Sequence, residues 1–199
     1  MRSVIMILLL VSFCVGAGTL ERELRDIADY GGGSYALNHY TAGGVPSIGL
    51  VAGHANSCPI RMDRFAMKFN IGALYLLRNP NIKSANLVLP IKKVWNADKI
   101  TRTISLWSFN NEPLRLTSST LADTDVVLVG KLENNKSVLV FDITEAVRRA
   151  YTKKFGCVAF RVSDSAEETS NTTRYPRSTV FTCASKGDKE VPKIIINYN

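Results

Sequence analysis

From residue 63 onward the chain alternates apolar and polar side chains with the period of an extended strand. Phe65, Met67, Phe69 and Ile71 stand between Arg64, Ala66, Lys68 and Asn70, the pattern of a strand with one face in a core. Asn79-Pro80-Asn81 marks a turn, and Ala85, Leu87, Leu89 and Ile91 then alternate through a long strand over 82–94. Pro90 cannot donate to a ladder, so this strand lies at an edge or carries a bulge. Alternation returns over 101–109 and a loop follows over 110–125. Shorter apolar runs predict strands over 48–51, 126–132, 137–141, 157–162, 178–184 and 193–198.

One stretch, 136–162, changes period. Its strand, with Val138, Leu139, Val140 and Phe141, stops at Asp142, and Ile143, Val147 and Tyr151 then fall four apart with Ala146 and Ala150 beside them. That is a short amphipathic helix with Arg148, Arg149, Lys153 and Lys154 on its polar side. Asp142 or Thr144 is placed to cap it, Glu145 suits the positive end of its dipole, and Gly156 is placed to end it.

Eight or more short strands with one helix predict an all-β fold, a two-sheet antiparallel β-sandwich with one short helix. Upstream, residues 20–30 align Leu20, Leu24 and Ile27 as a short helix or an arm, and Gly31-Gly32-Gly33 and Gly43-Gly44 read as loop. The expected organisation is a signal peptide over 1–17, an N-terminal arm and Gly-rich loop over 18–45, and the sandwich domain over 46–199.

The signal peptide rests on a basic start at Arg2, an apolar run over 4–15 and small residues through Ala17. The run is about 12 residues, short of the roughly 20 a helix needs to span a bilayer. The chain is therefore expected to be secreted, with no membrane span. Cleavage removes Cys14 and leaves Cys58, Cys157 and Cys183. Were the strands at 157–162 and 178–184 to pair antiparallel, Cys157 and Cys183 would fall within disulfide reach. Cys58 is then left over, either buried and inert or open to an intermolecular disulfide that links a dimer. Asn135-Lys136-Ser137 and Asn171-Thr172-Thr173 are N-glycosylation sequons in expected turns.

Net charge is +8, and secretion would leave a basic chain drawn to acidic glycans, matrix or membrane surfaces. Nothing matches a nucleic-acid recognition motif. Two histidines without a nucleophile motif, and no metal-binding spacing of cysteines, speak against an enzyme and against a metal or other cofactor. Asp164, Glu167 and Glu168 share an expected loop, a poor frame for two carboxylates that must be held at a fixed separation.

In order along the chain stand Ser47-Ile48-Gly49-Leu50-Val51, then Arg64-Phe65-Ala66-Met67-Lys68-Phe69, then Ile82-Lys83-Ser84-Ala85-Asn86-Leu87. Phe141-Asp142-Ile143-Thr144-Glu145-Ala146-Val147 follows, and Pro192-Lys193-Ile194-Ile195-Ile196-Asn197-Tyr198 closes the series. Over residues 28–198 this succession resembles the DNRLRE domains, also grouped as family-ninety-six carbohydrate-binding modules. The resemblance implies a jelly-roll sandwich, an extracellular role, binding of acidic polysaccharide as in some members, and no catalysis. No residue here matches a sugar-binding position of that family.

A site must then be sought in the residues themselves. Trp95 precedes an expected turn flanked by Lys92, Lys93, Lys99 and Arg102, a basic and aromatic patch suited to a sugar ring and its carboxylate. Lysines protecting an edge strand account for the same residues without a ligand. Asp142 is expected to serve as a helix cap and Trp107 as core. The expected function is a non-catalytic module binding an extracellular acidic polysaccharide, or a structural protein of an extracellular matrix, coat or biomineral.

Overall fold

The computed structural model describes residues 17–25, 30–36, 39–43, 50–55, 61–96, 103–112, 125–164, 177–182 and 187–199. They form twelve strands: β1 (Gly18–Glu23), β2 (Tyr30–Ala36), β3 (His39–Gly43), β4 (Leu50–Ala55), β5 (Arg61–Asn70), β6 (Ile82–Asn96), β7 (Thr103–Phe109), β8 (Val126–Glu133), β9 (Val138–Asp142), β10 (Cys157–Asp164), β11 (Arg177–Phe181) and β12 (Lys193–Tyr198). A 3-10 helix (Gly72–Leu76) follows β5, and one α-helix, α1 (Thr144–Thr152), follows β9. Every pairing is antiparallel. Among the described residues the expected all-β sandwich with one short α-helix is the architecture found.

One sheet runs β1-β12-β6-β9. The other runs β6-β11-β4-β5-β10-β7-β8, with β2 on the second side of β5 and β3 beyond it. The long strand β6 belongs to both. Residues 82–90 pair with β12 and β9, and residues 91–96 pair with β11. The change falls at Pro90, which has no N–H to give, and the next residue, Ile91, donates instead to Ser137 O at 2.7 Å. Directly beyond it the register slips so that Lys92 is the extra residue of a bulge. Pro90 thus marks a corner where a strand changes layers.

The two inner faces meet in one core. Phe65, Met67, Ile104, Leu106, Phe160 and Val162 come from one sheet, and Ala85, Leu87, Leu89, Phe141, Ile194 and Ile196 from the other. Phe65 and Leu87 are both wholly buried. Phe65 also meets Phe181 of β11 with ring centroids 5.3 Å apart. Such aromatic contacts add about 0.5–1.5 kcal/mol to the burial of the rings themselves.

Helix α1 is too short to hold alone and is kept by its apolar stripe, Ala146, Val147 and Ala150, over β6 and β10. Its N-cap is Ile143 rather than Asp142 or Thr144. Asp142, one residue earlier, accepts the Thr144 N–H at 2.9 Å and the Thr144 hydroxyl at 2.6 Å, while that hydroxyl oxygen accepts the Ala85 N–H at 2.9 Å. Those bonds, with Arg148 nearby, hold the Asp142 carboxyl below the usual range. The motif therefore ties helix, β9 and β6 together.

The N-terminal segment differs from expectation. The described residues within 18–45 form strands where an arm and a loop were expected: β1 adds to the edge of β12, and β2 and β3 extend the other sheet from β5. Leu24 is buried and its N–H donates to Pro192 O at 2.8 Å. A spacing of four puts Leu20 and Leu24 on one side of a strand as well as of a helix, and the open edge of β12 selects the strand.

Candidate functional site

Lys92 and Lys93 are exposed on β6, and Lys92 forms an ion pair with Asp188 at 2.8 Å. The backbone of Trp95 pairs with Ser178. The side chain of Trp95, together with Lys99 and Arg102, lies outside the described residues, and so do Cys58, Cys183, Asn171, Glu167 and Glu168. Asn135 is exposed in the turn between β8 and β9. Trp107 is half-buried, with its Nε1–H donating to Ser163 Oγ at 3.1 Å and the Arg161 guanidinium 5.5 Å from its ring centre.

Two expectations need correction. β10 and β11 do not pair with each other: β10 lies between β5 and β7, and β11 between β4 and β6. Cys157 stands opposite Asn70, so the pairing that was to bring it to Cys183 is not the one formed. Asp164 is no loop carboxylate either. It ends β10 almost wholly buried and accepts the Thr179 hydroxyl at 2.9 Å, while Asn134 donates to that hydroxyl oxygen at 3.0 Å. These three groups form a buried polar link between strand ends.

A different set of residues converges at the C-terminal end of α1. Asn70 Oδ1 accepts the Gly72 N–H at 2.8 Å and turns the chain out of β5 into the 3-10 helix. Leu74 plugs into the core, and the next residue, Tyr75, projects to the surface. Its hydroxyl donates to Phe155 O at 2.7 Å, and its ring stacks on Tyr151 with centroids 5.0 Å apart and planes 10° from parallel. Burial, first of all, and the nearby Tyr151 and Glu112 push the Tyr75 hydroxyl pKa up, so it stays a donor.

The helix end beside this pair is unusual. The Phe155 N–H bonds to Ala150 O and the Lys154 N–H to Tyr151 O, both at 3.0 Å, which is the double bond pattern of a Schellman cap. The left-handed position of such a cap is usually glycine. Here it is Lys154, at φ 60°, and Gly156 stands two residues too late to fill it. Glu112 fixes the chain beyond, accepting the N–H groups of Gly156 and Cys157 at 3.1 Å each. Lys153 reaches Asn110 O at 3.0 Å across the Phe155 ring.

Tyr75, Tyr151, Thr152 and Lys154 line an open, mainly apolar recess of about 520 Å³. Leu76 stands exposed next to Tyr75 in the chain. The recess offers two tyrosine rings with their hydroxyls, the Thr152 hydroxyl and the exposed Lys154 ammonium. Such a set can stack the C–H face of a pyranose, hydrogen-bond its hydroxyls and pair with a carboxylate.

A second groove, of about 550 Å³, lies between α1 and β8. Its arginines have structural partners: Arg148 donates to Ile82 O at 2.7 Å and to Glu145 at 2.6 Å, and Arg149 donates to Ser108 Oγ. Among the described residues no three His, Cys, Asp or Glu side chains gather as metal ligands. Nor is any helix among them long and apolar enough to cross a membrane.

Sequence reasoning passed over the recess because Tyr151 reads as one more apolar residue of the helix and Lys154 as one more charge. The signal was the misplaced glycine: a helix ending in Thr152-Lys153-Lys154-Phe155-Gly156 leaves its left-handed position to a lysine. Compared with models of known protein families the chain matches none, and no curated protein matches it.

Proposed function

We propose that the chain is a secreted, non-catalytic module that binds an extracellular acidic polysaccharide, with the recess at Tyr75, Tyr151, Thr152 and Lys154 as its principal contact. The observation that carries this reading is Lys154 itself. A lysine in the left-handed region costs about 1–2 kcal/mol relative to ordinary helical backbone, and strain of this kind collects at functional positions. What that strain provides is a cation at the rim of a stacked tyrosine pair. The basic balance of the chain would draw polyanions toward it. The resemblance to the DNRLRE domains points to the same ligand class. Lys93 and Trp95 of β6 would contribute a second contact along an extended polymer.

Affinity electrophoresis through gels holding a polyuronate or a neutral glucan tests the proposal. Retardation by the polyuronate, weakened by salt and abolished in a Tyr75→Ala/Tyr151→Ala variant, is the expected result. Equal migration in loaded and empty gels would refute it. Loss of retardation in Trp95→Ala with full retention in the tyrosine variant would move the site to β6.

A further inference from the structure

We infer that Asn135 carries an N-linked glycan whose place in the fold is to screen one edge of each sheet, β8 of one and β9 of the other. The inference rests on the secretion reading but not on the polysaccharide reading. Among the described residues β8 pairs only with β7, and β9 only with β6, so the two strands that flank this turn are edge strands. They carry exposed apolar side chains, Val140 on β9, 52% exposed, and Val127 and Leu128 on β8 in the groove beside α1. Edge strands with exposed apolar residues invite pairing with another chain unless something covers them.

The turn that joins the two strands is built to present a modification. Asn134 points inward, its amide donating to Thr179 Oγ1 at 3.0 Å, which anchors the turn in the sandwich. Asn135, Lys136 and Ser137, the three residues of the sequon, are all exposed. Adjacent asparagines thus have opposite roles, one holding the turn and one facing solvent.

The Asn135 Nδ2 attacks the anomeric carbon of an oligosaccharide carried on a lipid pyrophosphate. The N–C bond forms, the C–O bond to phosphate breaks, the lipid pyrophosphate leaves and the amide nitrogen loses one proton. One Nδ2–H remains. One hydrogen is the number that the bond from Asn135 to Glu133 Oε2, at 2.9 Å, requires.

The test is expression of the full chain in eukaryotic secretory cells as wild type, Asn135→Gln, Ser137→Ala and Asn171→Gln. Treatment with an endoglycosidase, peptide mass mapping and light scattering follow. Expected are a mass loss on treatment of the secreted wild type, loss of the same increment in both Asn135→Gln and Ser137→Ala, and concentration-dependent association of those two variants. Asn171→Gln controls for the second sequon and should keep the Asn135 increment. An exported chain whose Asn135 peptide is unmodified overturns the inference and leaves secretion standing. A chain that stays in the cytosol overturns both. Unglycosylated variants that remain as monomeric as wild type overturn the screening role.

Discussion

Replacing Lys154 with glycine should make the protein more stable and less able to hold an acidic glycan. The residue sits at φ 60°, where an L side chain crowds the following carbonyl at a cost of about 1–2 kcal/mol. Glycine relieves that crowding but loses about 0.5–1 kcal/mol more backbone entropy on folding than alanine does. The difference leaves a gain of about 1 kcal/mol, which in a domain of this size raises Tm by about 2–4 °C. The Lys154 side chain is exposed, so removing it sacrifices little packing. Binding should move the other way. One charge-assisted hydrogen bond contributes about 1.5–3 kcal/mol, so polyuronate affinity should fall by about 10- to 100-fold. Lys154→Ala separates the two effects, because alanine removes the charge and keeps the strain: its binding should drop with Tm nearly unchanged. Thermal melts and affinity electrophoresis on the same samples read both quantities. A Tm below wild type in Lys154→Gly would refute the strain argument, and undiminished retardation in both variants would refute the role of the recess.

Asp142 should give the protein an acid-sensitive component. Its folded pKa is lowered by the Thr144 hydroxyl and N–H and by Arg148, so its contribution is present above the unfolded carboxylate range and is lost as pH falls through its lowered value. Urea midpoints against pH should therefore decline more gently in Asp142→Asn than in wild type, and identical slopes would contradict this. Phe65→Ala should cost about 3–5 kcal/mol by opening a cavity against Phe181; a loss under about 1 kcal/mol in denaturant titration would mean that the site collapses freely. Thr179→Val removes the hydroxyl shared by Asp164 and Asn134 and should cost about 1–3 kcal/mol in the same assay, because their buried polar groups lose a partner.

The alternating segments were the legible part of this fold. Around Phe65 and Leu87 side-chain period and burial coincide, and the strand expected over 193–198 is β12 with the same limits. Legibility failed where side chains carry no period. Gly31 to Gly33 in β2 and Gly43 in β3 look like loop because glycine has no side chain to alternate, yet β5 offers an edge and the backbone pairs with it. The expected Cys157–Cys183 contact assumed that strands successive in sequence are neighbours, whereas β10 and β11 each settle between other strands. The recess was hidden for a related reason. Tyr75 and Tyr151 are far apart in sequence, and only the docking of a helix end beside a 3-10 turn brings them together. Lys92 illustrates a subtler loss, since a one-residue slip in register breaks the alternation from which a shared face would be read.

Because β6 is stitched into both layers, with Pro90 at the fold line, neither layer can slide or peel away without dragging the same fifteen-residue ribbon out of the other. The molecule should yield to force or denaturant as one piece, with amide protons on either side of the proline released together rather than in two waves.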